Sequence, residues 1–150
     1  MTLAPSVPDD GGMPRFVLLL HDCPDAAPRE THCDFMLEVG ATLETWALPA
    51  VPRDWSRLAL IPQMIAASNT VEVKRIADHR PAYLEYEGPI SGGRGTLRRL
   101  DHGSYHAGAT PGHYSLEGEI LHGEIEITSH PSSDAKYSLS FRPTKPVTRS

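Results

Sequence analysis

Apolar and polar residues alternate along most of the chain in short runs, and a period of two is typical of β-strands. In CDFMLEV, residues 33–39, apolar side chains occupy every second position. The run RFVLLLHD, residues 15–22, is apolar enough to predict a strand that is buried on both faces. Further strand candidates are TLETWAL, VEVKRI, RGTLRRL, HYSLEGEIL, GEIEITS and KYSLSFR. The pattern predicts an all-β protein.

Glycine and proline fall largely between these runs, as an all-β barrel or sandwich requires. Gly40 and Ala41 predict a tight hairpin between two strand candidates. One segment, DWSRLALIPQMIAAS, has helical possibilities, with Asp54 as a candidate cap, but Pro62 would interrupt a helix there. We therefore expect at most short helices in this segment.

The length of 150 residues favours one domain with a single core. Residues 1–14 contain three prolines, paired aspartates and paired glycines without a hydrophobic period, which predicts a flexible leader. Met13 is a second candidate for the natural start. We expect the folded domain to span residues 15–142 and a flexible tail to span residues 143–150.

The composition narrows the location and the partners of the protein. With 39% hydrophobic residues the chain is too apolar to be wholly disordered. It has neither an apolar run near the ~18 residues of a membrane span nor the start of a signal peptide, so we expect a cytoplasmic protein with no membrane partner. The two cysteines, Cys23 and Cys33, are then expected to be reduced.

The net charge of −5 argues against a protein that binds nucleic acid through bulk electrostatics, so any such contact must be local. Basic residues do occur in groups, which are equally well interpreted as solvated surface charges or as local contact points. These residues are Arg53, Arg57, Lys74, Arg75, Arg80, Arg94, Arg98 and Arg99.

The segment THCDFMLE places His32 and Asp34 two positions apart on a predicted strand, so their side chains share one face. The preceding strand ends in His21, and the two strand ends could meet. Two imidazoles and a carboxylate suit a divalent ion and leave positions open for water and substrate. In the alternative interpretation, His21 caps a strand end and Asp34 pairs with an arginine. Neither cysteine is assigned to a metal, because Cys33 points to the opposite strand face.

A second group of candidate residues lies in DHRPAYLEYEG, where His79 and Tyr83 flank a proline-bearing turn. A histidine can donate a proton or bind phosphate, and a tyrosine hydroxyl can hold a phosphoryl oxygen. The alternative is packing in the core or across strands, which we favour for Tyr86.

The glycine-rich SGGRGT lacks the lysine and the spacing of a phosphate-binding P-loop, which excludes a Walker motif. Its glycines predict a tight turn that presents Arg94. Arg94 could clamp a phosphate through two hydrogen bonds or pair with Glu87, and the sequence does not choose between these roles.

Taken together, the order of FVLLLHD, HCDFMLE, LETWALP, DHRPAYLEYEG, GGRGTL and LEGEILHGEIEI resembles the phosphoesterase domain of bacterial DNA ligase D. The resemblance covers about residues 15–128 and is greatest to short, stand-alone members of that family. It implies a compact β-barrel with short flanking helices or turns. It also implies a Mn²⁺-dependent enzyme that removes a 3′-phosphate or a 3′-ribonucleoside from nucleic-acid ends during DNA repair. We expect a monomer, with Zn²⁺ or another divalent cation as the alternative to Mn²⁺.

The family motifs fall on specific residues of this chain. Metal ligands of the family match His21, His32 and Asp34, and its phosphate-facing histidine and tyrosine match His79 and Tyr83. A repair ligase or polymerase is the candidate protein partner. The alternative function is a binding module for nucleic-acid ends or for a repair partner, with weak or absent catalysis.

Three cationic or polar family positions are replaced here. Where the family has an arginine two residues after the metal aspartate, this chain has Met36. Leu19 stands in place of a glutamine two residues before the first histidine, and Ala50 in place of a lysine after Trp-Ala-x-Pro. We expect Arg94, Arg80 or Arg29 to supply the missing positive charge from new positions, because each lies near one of the motifs. Lost charge-assisted contacts of this kind slow phosphoryl transfer by orders of magnitude.

Overall fold

The computed structural model describes residues 13–24, 30–58, 62–90, 92–131 and 133–144. Nine antiparallel β-strands account for most of these residues. Residues 1–12 of the expected leader, residues 145–150 of the expected tail and Arg29 lie outside the described residues. The strands are β1 (Arg15–Asp22), β2 (His32–Val39), β3 (Thr42–Leu48), β4 (Thr70–His79), β5 (Gly88–Pro89), β6 (Thr96–Ala107), β7 (His113–Gly118), β8 (His122–His130) and β9 (Ser133–Pro143).

The sheet closes on itself into an eight-stranded barrel. Its strand order is β1-β2-β3-β4-β9-β8-β7-β6, and β6 pairs with β1 to complete the circle. The two-residue strand β5 adds to β6 at Thr96 and Leu97, outside the closed barrel. The prediction of an all-β protein and of a compact barrel is therefore confirmed, and the sandwich alternative is excluded.

The hairpin of β1 and β2 sets the geometry of the candidate site. Its register pairs His21 with His32 and Leu19 with Asp34. At the other end of β2, Val39 pairs with Thr42 across Gly40 and Ala41, which confirms the predicted tight turn. Gly40 has a φ of 60°, a conformation that glycine adopts without steric cost.

Alternate residues of the strands fill the barrel interior. On the hairpin these are the even-numbered residues from 16 to 20 in β1 and the odd-numbered residues from 33 to 37 in β2, and Leu116, Ile125 and Leu139 of other strands belong to the same core cluster. Aromatic rings form the centre of the core, because Phe35 packs against Trp46 and Trp55, with ring centroids 6.4 and 6.3 Å apart.

The outward side of β1 and β2 is also buried, under a short cover. A 3₁₀ turn at Pro81–Leu84 and the residues around β5 lie over it, as contacts of this cover with β1 and β6 show. We call this second apolar cluster the outer patch; its buried members are Val17, Leu19, Met36, Leu43, Leu84 and Leu97. Burial of β1 on both faces, predicted from its continuous apolar run, is confirmed.

The segment with helical possibilities contains only short 3₁₀ turns in its described residues, at Arg53–Trp55 and Pro62–Met64. The expectation of short helices is confirmed, but Asp54 is not a cap: Pro52 occupies the cap position, and the Asp54 carboxylate accepts a hydrogen bond from the Asn69 side chain at 2.8 Å. None of the helices in the described ranges has the length and apolar character needed to cross a membrane.

Candidate metal centre

Three polar side chains are buried where β1 ends and β2 begins. His21 and His32 are directly paired across the strands, and their ring centroids lie 4.8 Å apart. Asp34 follows on the same outward side of β2 and is only 3% exposed. The structure thus brings together the three residues that the sequence predicted as metal ligands. Buried groups of this kind need partners, because removing them from water is costly.

The hydrogen bond of His32 fixes which of its ring nitrogens carries the proton. Nδ1 lies 2.7 Å from the carbonyl oxygen of Glu30, and a carbonyl only accepts, so Nδ1–H donates. In the neutral ring, Nε2 then carries a lone pair. This Nε2 is 3.2 Å from Oδ1 of Asp34.

His21 has the complementary arrangement. Its Nε2–H donates to the carbonyl oxygen of Arg94 at 2.9 Å, which leaves the lone pair on Nδ1. Nδ1 lies 3.9 Å from Oδ2 of Asp34. Ordering of one imidazole nitrogen by a carbonyl while the other nitrogen faces a ligand position is the usual outer shell of metal-bound histidine.

Two imidazole lone pairs therefore face one buried carboxylate. Oδ1 of Asp34 has no hydrogen-bond partner among the described residues, despite its short distance to His32. A lone pair 3.2 Å from a carboxylate oxygen requires a positive charge between the two atoms, either a shared proton or a cation. Two nitrogens and a carboxylate oxygen form a donor set suited to Zn²⁺ or Mn²⁺, so these residues fit the predicted ion.

Two further expectations about this region can be compared with the structure. The ion pairs of Asp34 are with two histidines rather than with an arginine. Cys33 lies in the barrel interior, as predicted, and burial, with a smaller contribution from Asp34, raises its pKa to about 12. A thiol in that environment is inert as a ligand.

Cys23 is the residue that the sequence analysis missed. Together with His21 and His32 it forms a group whose possible ligand atoms all lie within 4.8 Å of one another. The signal in the sequence was the spacing: His21 and Cys23 are two apart at the end of one strand, as His32 and Asp34 are at the start of the next. The connecting loop obscured this, because Cys23 lies just beyond the predicted strand.

His79 and Tyr83 contact each other through their rings, whose centroids are 5.2 Å apart in an edge-to-face arrangement. Nδ1–H of His79 donates to the carbonyl oxygen of Ala77 at 2.9 Å. Tyr83 packs against the outer patch. The pair therefore lies on the same outward side of the barrel as the three metal-ligand candidates.

The register places this pair away from the metal-ligand candidates. His79 pairs with Leu43 in β3, and Leu43 pairs with Glu38 in β2. Glu38 is four residues from Asp34, which corresponds to about 13 Å along the strand. Met36 stands at the level between them, 1% exposed and part of the outer patch.

Two packing expectations for the neighbouring residues have different outcomes. Leu84 is buried in the outer patch, as the packing alternative predicted. Tyr86 is 39% exposed and so does not lie in the core, but its ring packs edge to face against that of Tyr83, with centroids 6.2 Å apart. Its hydroxyl instead donates to the carbonyl of Pro89, which braces the chain beside β5.

Arg94 contributes to the centre through its backbone. Its side chain is exposed, while its carbonyl oxygen accepts the hydrogen bond of His21. Glu87, the predicted alternative partner of Arg94, accepts a hydrogen bond from the backbone N–H of Arg99 at 2.8 Å. Arg80 is also exposed. The role of either guanidinium toward phosphate stays a prediction.

Gly95 explains how the Arg94 carbonyl reaches His21. A Cβ at this position would lie 2.3 Å from the carbonyl oxygen of Asp22, and its φ of +105° is one that side-chain-bearing residues rarely adopt. Only glycine allows the chain to approach the end of β1 this closely. The glycine-rich turn thus has the role expected for close backbone approach.

No protein family matches the chain, and no curated protein matches it either. The function of this chain is therefore inferred from its residues and from their arrangement.

Proposed function

We propose that the protein is a divalent-metal-dependent phosphoesterase that acts on 3′ ends of nucleic acids. The observation that carries the proposal is the buried centre of His21, His32 and Asp34, in which Nε2 of His32 lies 3.2 Å from Oδ1 and Nδ1 of His21 lies 3.9 Å from Oδ2 of the same buried carboxylate. The order of motifs that resembles the phosphoesterase domain of DNA ligase D supplies the substrate class. The centre supplies the means of holding the ion.

A bound cation would polarise a phosphoryl oxygen and lower the pKa of a coordinated water. The protein groups have separate tasks. The carbonyls of Glu30 and Arg94 hold the two imidazoles in the orientation in which Nε2 of His32 and Nδ1 of His21 face Asp34. This ordering precedes substrate binding, so little reorganisation is needed later.

His79 and Tyr83 are assigned to the phosphate end of the substrate. Their rings hold each other, and the hydroxyl of Tyr83 can donate to a phosphoryl oxygen, as can Nε2 of His79 in the protonated ring. The pair lies about 13 Å along β2 from the level of Asp34. We therefore assign the pair to positioning the strand near its end, with the scissile group at the ion.

A second candidate function follows from Met36. The family position that carries a phosphate-gripping arginine here holds a side chain that is buried in the outer patch and brings no charge. A module that binds nucleic-acid ends without efficient turnover fits that replacement. Rate, rather than binding, distinguishes the two functions.

The test uses a primer-template with a 3′-phosphate and a second one with a terminal ribonucleotide, titrated with Mn²⁺ or Zn²⁺. Wild type is compared with His32→Ala, His79→Ala and the control His106→Ala, which changes an exposed histidine of β6. End binding is measured in parallel by fluorescence anisotropy.

Metal-dependent release of phosphate or nucleoside that falls at least about 100-fold in His32→Ala and His79→Ala, but not in His106→Ala, supports the phosphoesterase. Binding of both ends without turnover at any metal concentration supports the end-binding module and overturns the enzyme. Turnover that is unchanged in His32→Ala would contradict the assigned centre.

A further inference from the structure

Cys23 is held against the metal centre by two local constraints. The Thr31 hydroxyl accepts a hydrogen bond from the backbone N–H of Cys23 at 3.0 Å and lies 3.2 Å from its carbonyl oxygen, to which it can donate. On the other side, the Cα of Cys23 lies 3.1 Å from where a Cβ of Gly95 would be. The residue is 8% exposed. Its backbone therefore has little freedom to move away from His21 and His32.

The thiol is within reach of an ion bound by the two imidazoles. The possible ligand atoms of His21, Cys23 and His32 lie within 4.8 Å of one another. Tetrahedral Zn²⁺ with ordinary bond lengths needs ligand–ligand separations of about 3.5 Å. The ligand atoms would contract toward one another by up to about 1.3 Å, which is a side-chain adjustment, and the thiol would exchange its weak hydrogen bond to the His21 carbonyl at 3.7 Å.

An independent observation indicates that this corner is built for a cation. Oδ1 of Asp34, buried beside the same imidazoles, lacks a hydrogen-bond partner within the described part of the chain. The corner therefore offers two nitrogens, one sulfur and one carboxylate oxygen from a single hairpin. This donor set differs from the two-histidine, one-aspartate set because of its sulfur, and thiolate favours Zn²⁺ over the harder Mn²⁺.

We propose that Cys23 is a thiolate ligand of the centre and makes it select Zn²⁺ over Mn²⁺. This inference rests on the metal centre of the proposed function and adds its metal selectivity. On binding, the S–H bond breaks, an S–Zn bond forms and the proton passes to solvent.

Cobalt(II) is the probe for the thiolate, because it replaces Zn²⁺ and shows a sulfur-to-cobalt charge-transfer absorption in the near ultraviolet when a thiolate binds it. Wild type, Cys23→Ser and the matched control Cys33→Ala are titrated with CoCl₂, and circular dichroism checks the fold of each. Cys33 faces the barrel interior, so the control removes a thiol without touching the centre. We expect the band in wild type and in Cys33→Ala, and its loss in Cys23→Ser.

Metal selectivity is measured by competition of Zn²⁺ and Mn²⁺ against a chromophoric chelator. We expect Cys23→Ser to weaken Zn²⁺ binding by at least about 100-fold and to change Mn²⁺ binding by less than about threefold. A second measurement needs no variant: Zn²⁺ should protect Cys23 of the wild type from iodoacetamide, read by mass spectrometry. A cobalt complex of wild type without the band, or unchanged Zn²⁺ affinity in Cys23→Ser, would overturn the inference.

The inference and the proposed function fail separately. A charge-transfer band with no hydrolysis of either primer-template under any metal supports Cys23 as a ligand and overturns the phosphoesterase. Mn²⁺-dependent hydrolysis by a wild type that shows no band overturns the role of Cys23 and leaves the phosphoesterase supported.

Discussion

The two sides of the β1–β2 hairpin are built from the same strands and are both buried, yet they have different compositions. The inward side consists of apolar residues, all in the barrel core: Phe16, Leu18, Leu20, Cys33, Phe35 and Leu37. The outward side is apolar only in part. Along β1, Val17 and Leu19 lead to His21, and along β2, Met36 leads back to Asp34 and His32.

The difference between the sides reflects what covers them. Six other strands enclose the inward side, so a polar group there would meet mostly hydrocarbon. The outward side is covered by a 3₁₀ turn and a two-residue strand, which also bring backbone carbonyls such as that of Arg94. Carbonyls can order imidazoles, as that of Arg94 does for His21. The inward side thus supplies stability, and the outward side holds the candidate metal centre.

The largest effect is expected from truncating the inward side. Phe35→Ala removes a fully buried ring that packs against the rings of Phe16, Trp46 and Trp55. We expect the free energy of unfolding in urea to fall by about 3–5 kcal/mol. The Co²⁺ affinity of the folded fraction should stay within about threefold of wild type. A Co²⁺ affinity that falls in step with stability would show that the two sides are not separable.

The next effect tests the cover of the outward side. Gly95→Ala places a methyl group against the Asp22 carbonyl at a positive φ, and we expect a loss of about 3 kcal/mol in urea unfolding together with weaker metal binding. Gly93→Ala is the matched control, because its φ is also positive but nothing lies within 4 Å of the new Cβ. It should cost about 1 kcal/mol and leave metal binding unchanged. Equal losses of metal affinity in both variants would argue against the role of the Arg94 carbonyl.

A gain in stability is expected when the charge of the Asp34 side chain is removed. Asp34→Asn replaces the carboxylate that faces two lone pairs with an amide whose N–H can donate to Nε2 of His32. We expect the free energy of unfolding of the metal-free variant to exceed that of metal-free wild type by about 1 kcal/mol. Metal binding should be lost. Glu72→Gln, an exposed change of the same charge on β4, should change neither. A metal-free Asp34→Asn that is less stable than wild type would mean that a proton already bridges these groups.

The smallest expected effect is a loss of stability at alkaline pH. Tyr105 belongs to the inward cluster and donates its hydroxyl to the carbonyl of Glu38 at 2.7 Å; burial, with a contribution from Tyr114, raises its pKa to about 12. The unfolded chain ionises this group near its ordinary pKa of 10.0, so the stability it contributes is complete below pH 10 and falls as pH rises toward 12. Tyr105→Phe should therefore show a flatter decline of melting temperature between pH 9 and about 11. Parallel curves for the two proteins would contradict this assignment.

Periodicity was sufficient to predict the barrel strands, because each buried strand must present apolar side chains to one wall at a period of two. The run RFVLLLHD also predicted a strand buried on both faces, and both faces of β1 are buried in the structure. The three metal-ligand candidates were also accessible from sequence. Two of them are two apart on one strand and the third ends its partner, so pairing alone brings them together.

Interactions between distant segments could not be predicted in this way. The Arg94 carbonyl reaches His21 across 73 residues of chain, and no periodicity encodes that approach. Tyr86 was predicted to pack in the core or across strands, whereas its ring is 39% exposed and packs against Tyr83, three residues before it. Cys23 was set aside because the other cysteine faces the core, and only the three-dimensional arrangement separates the two thiols.

The cross-strand pairing of His21 with His32 has a consequence for how the first two strands align. Sliding β2 by a single residue would turn its imidazole and carboxylate into the barrel and bring Cys33 and Phe35 out, so an ion would lose two donors at once. A cation bound by both strands thus stabilises the native register relative to the registers shifted by one residue. Refolding with Zn²⁺ should accordingly yield more native protein than refolding with a chelator, and equal yields would show that the barrel aligns this hairpin unaided.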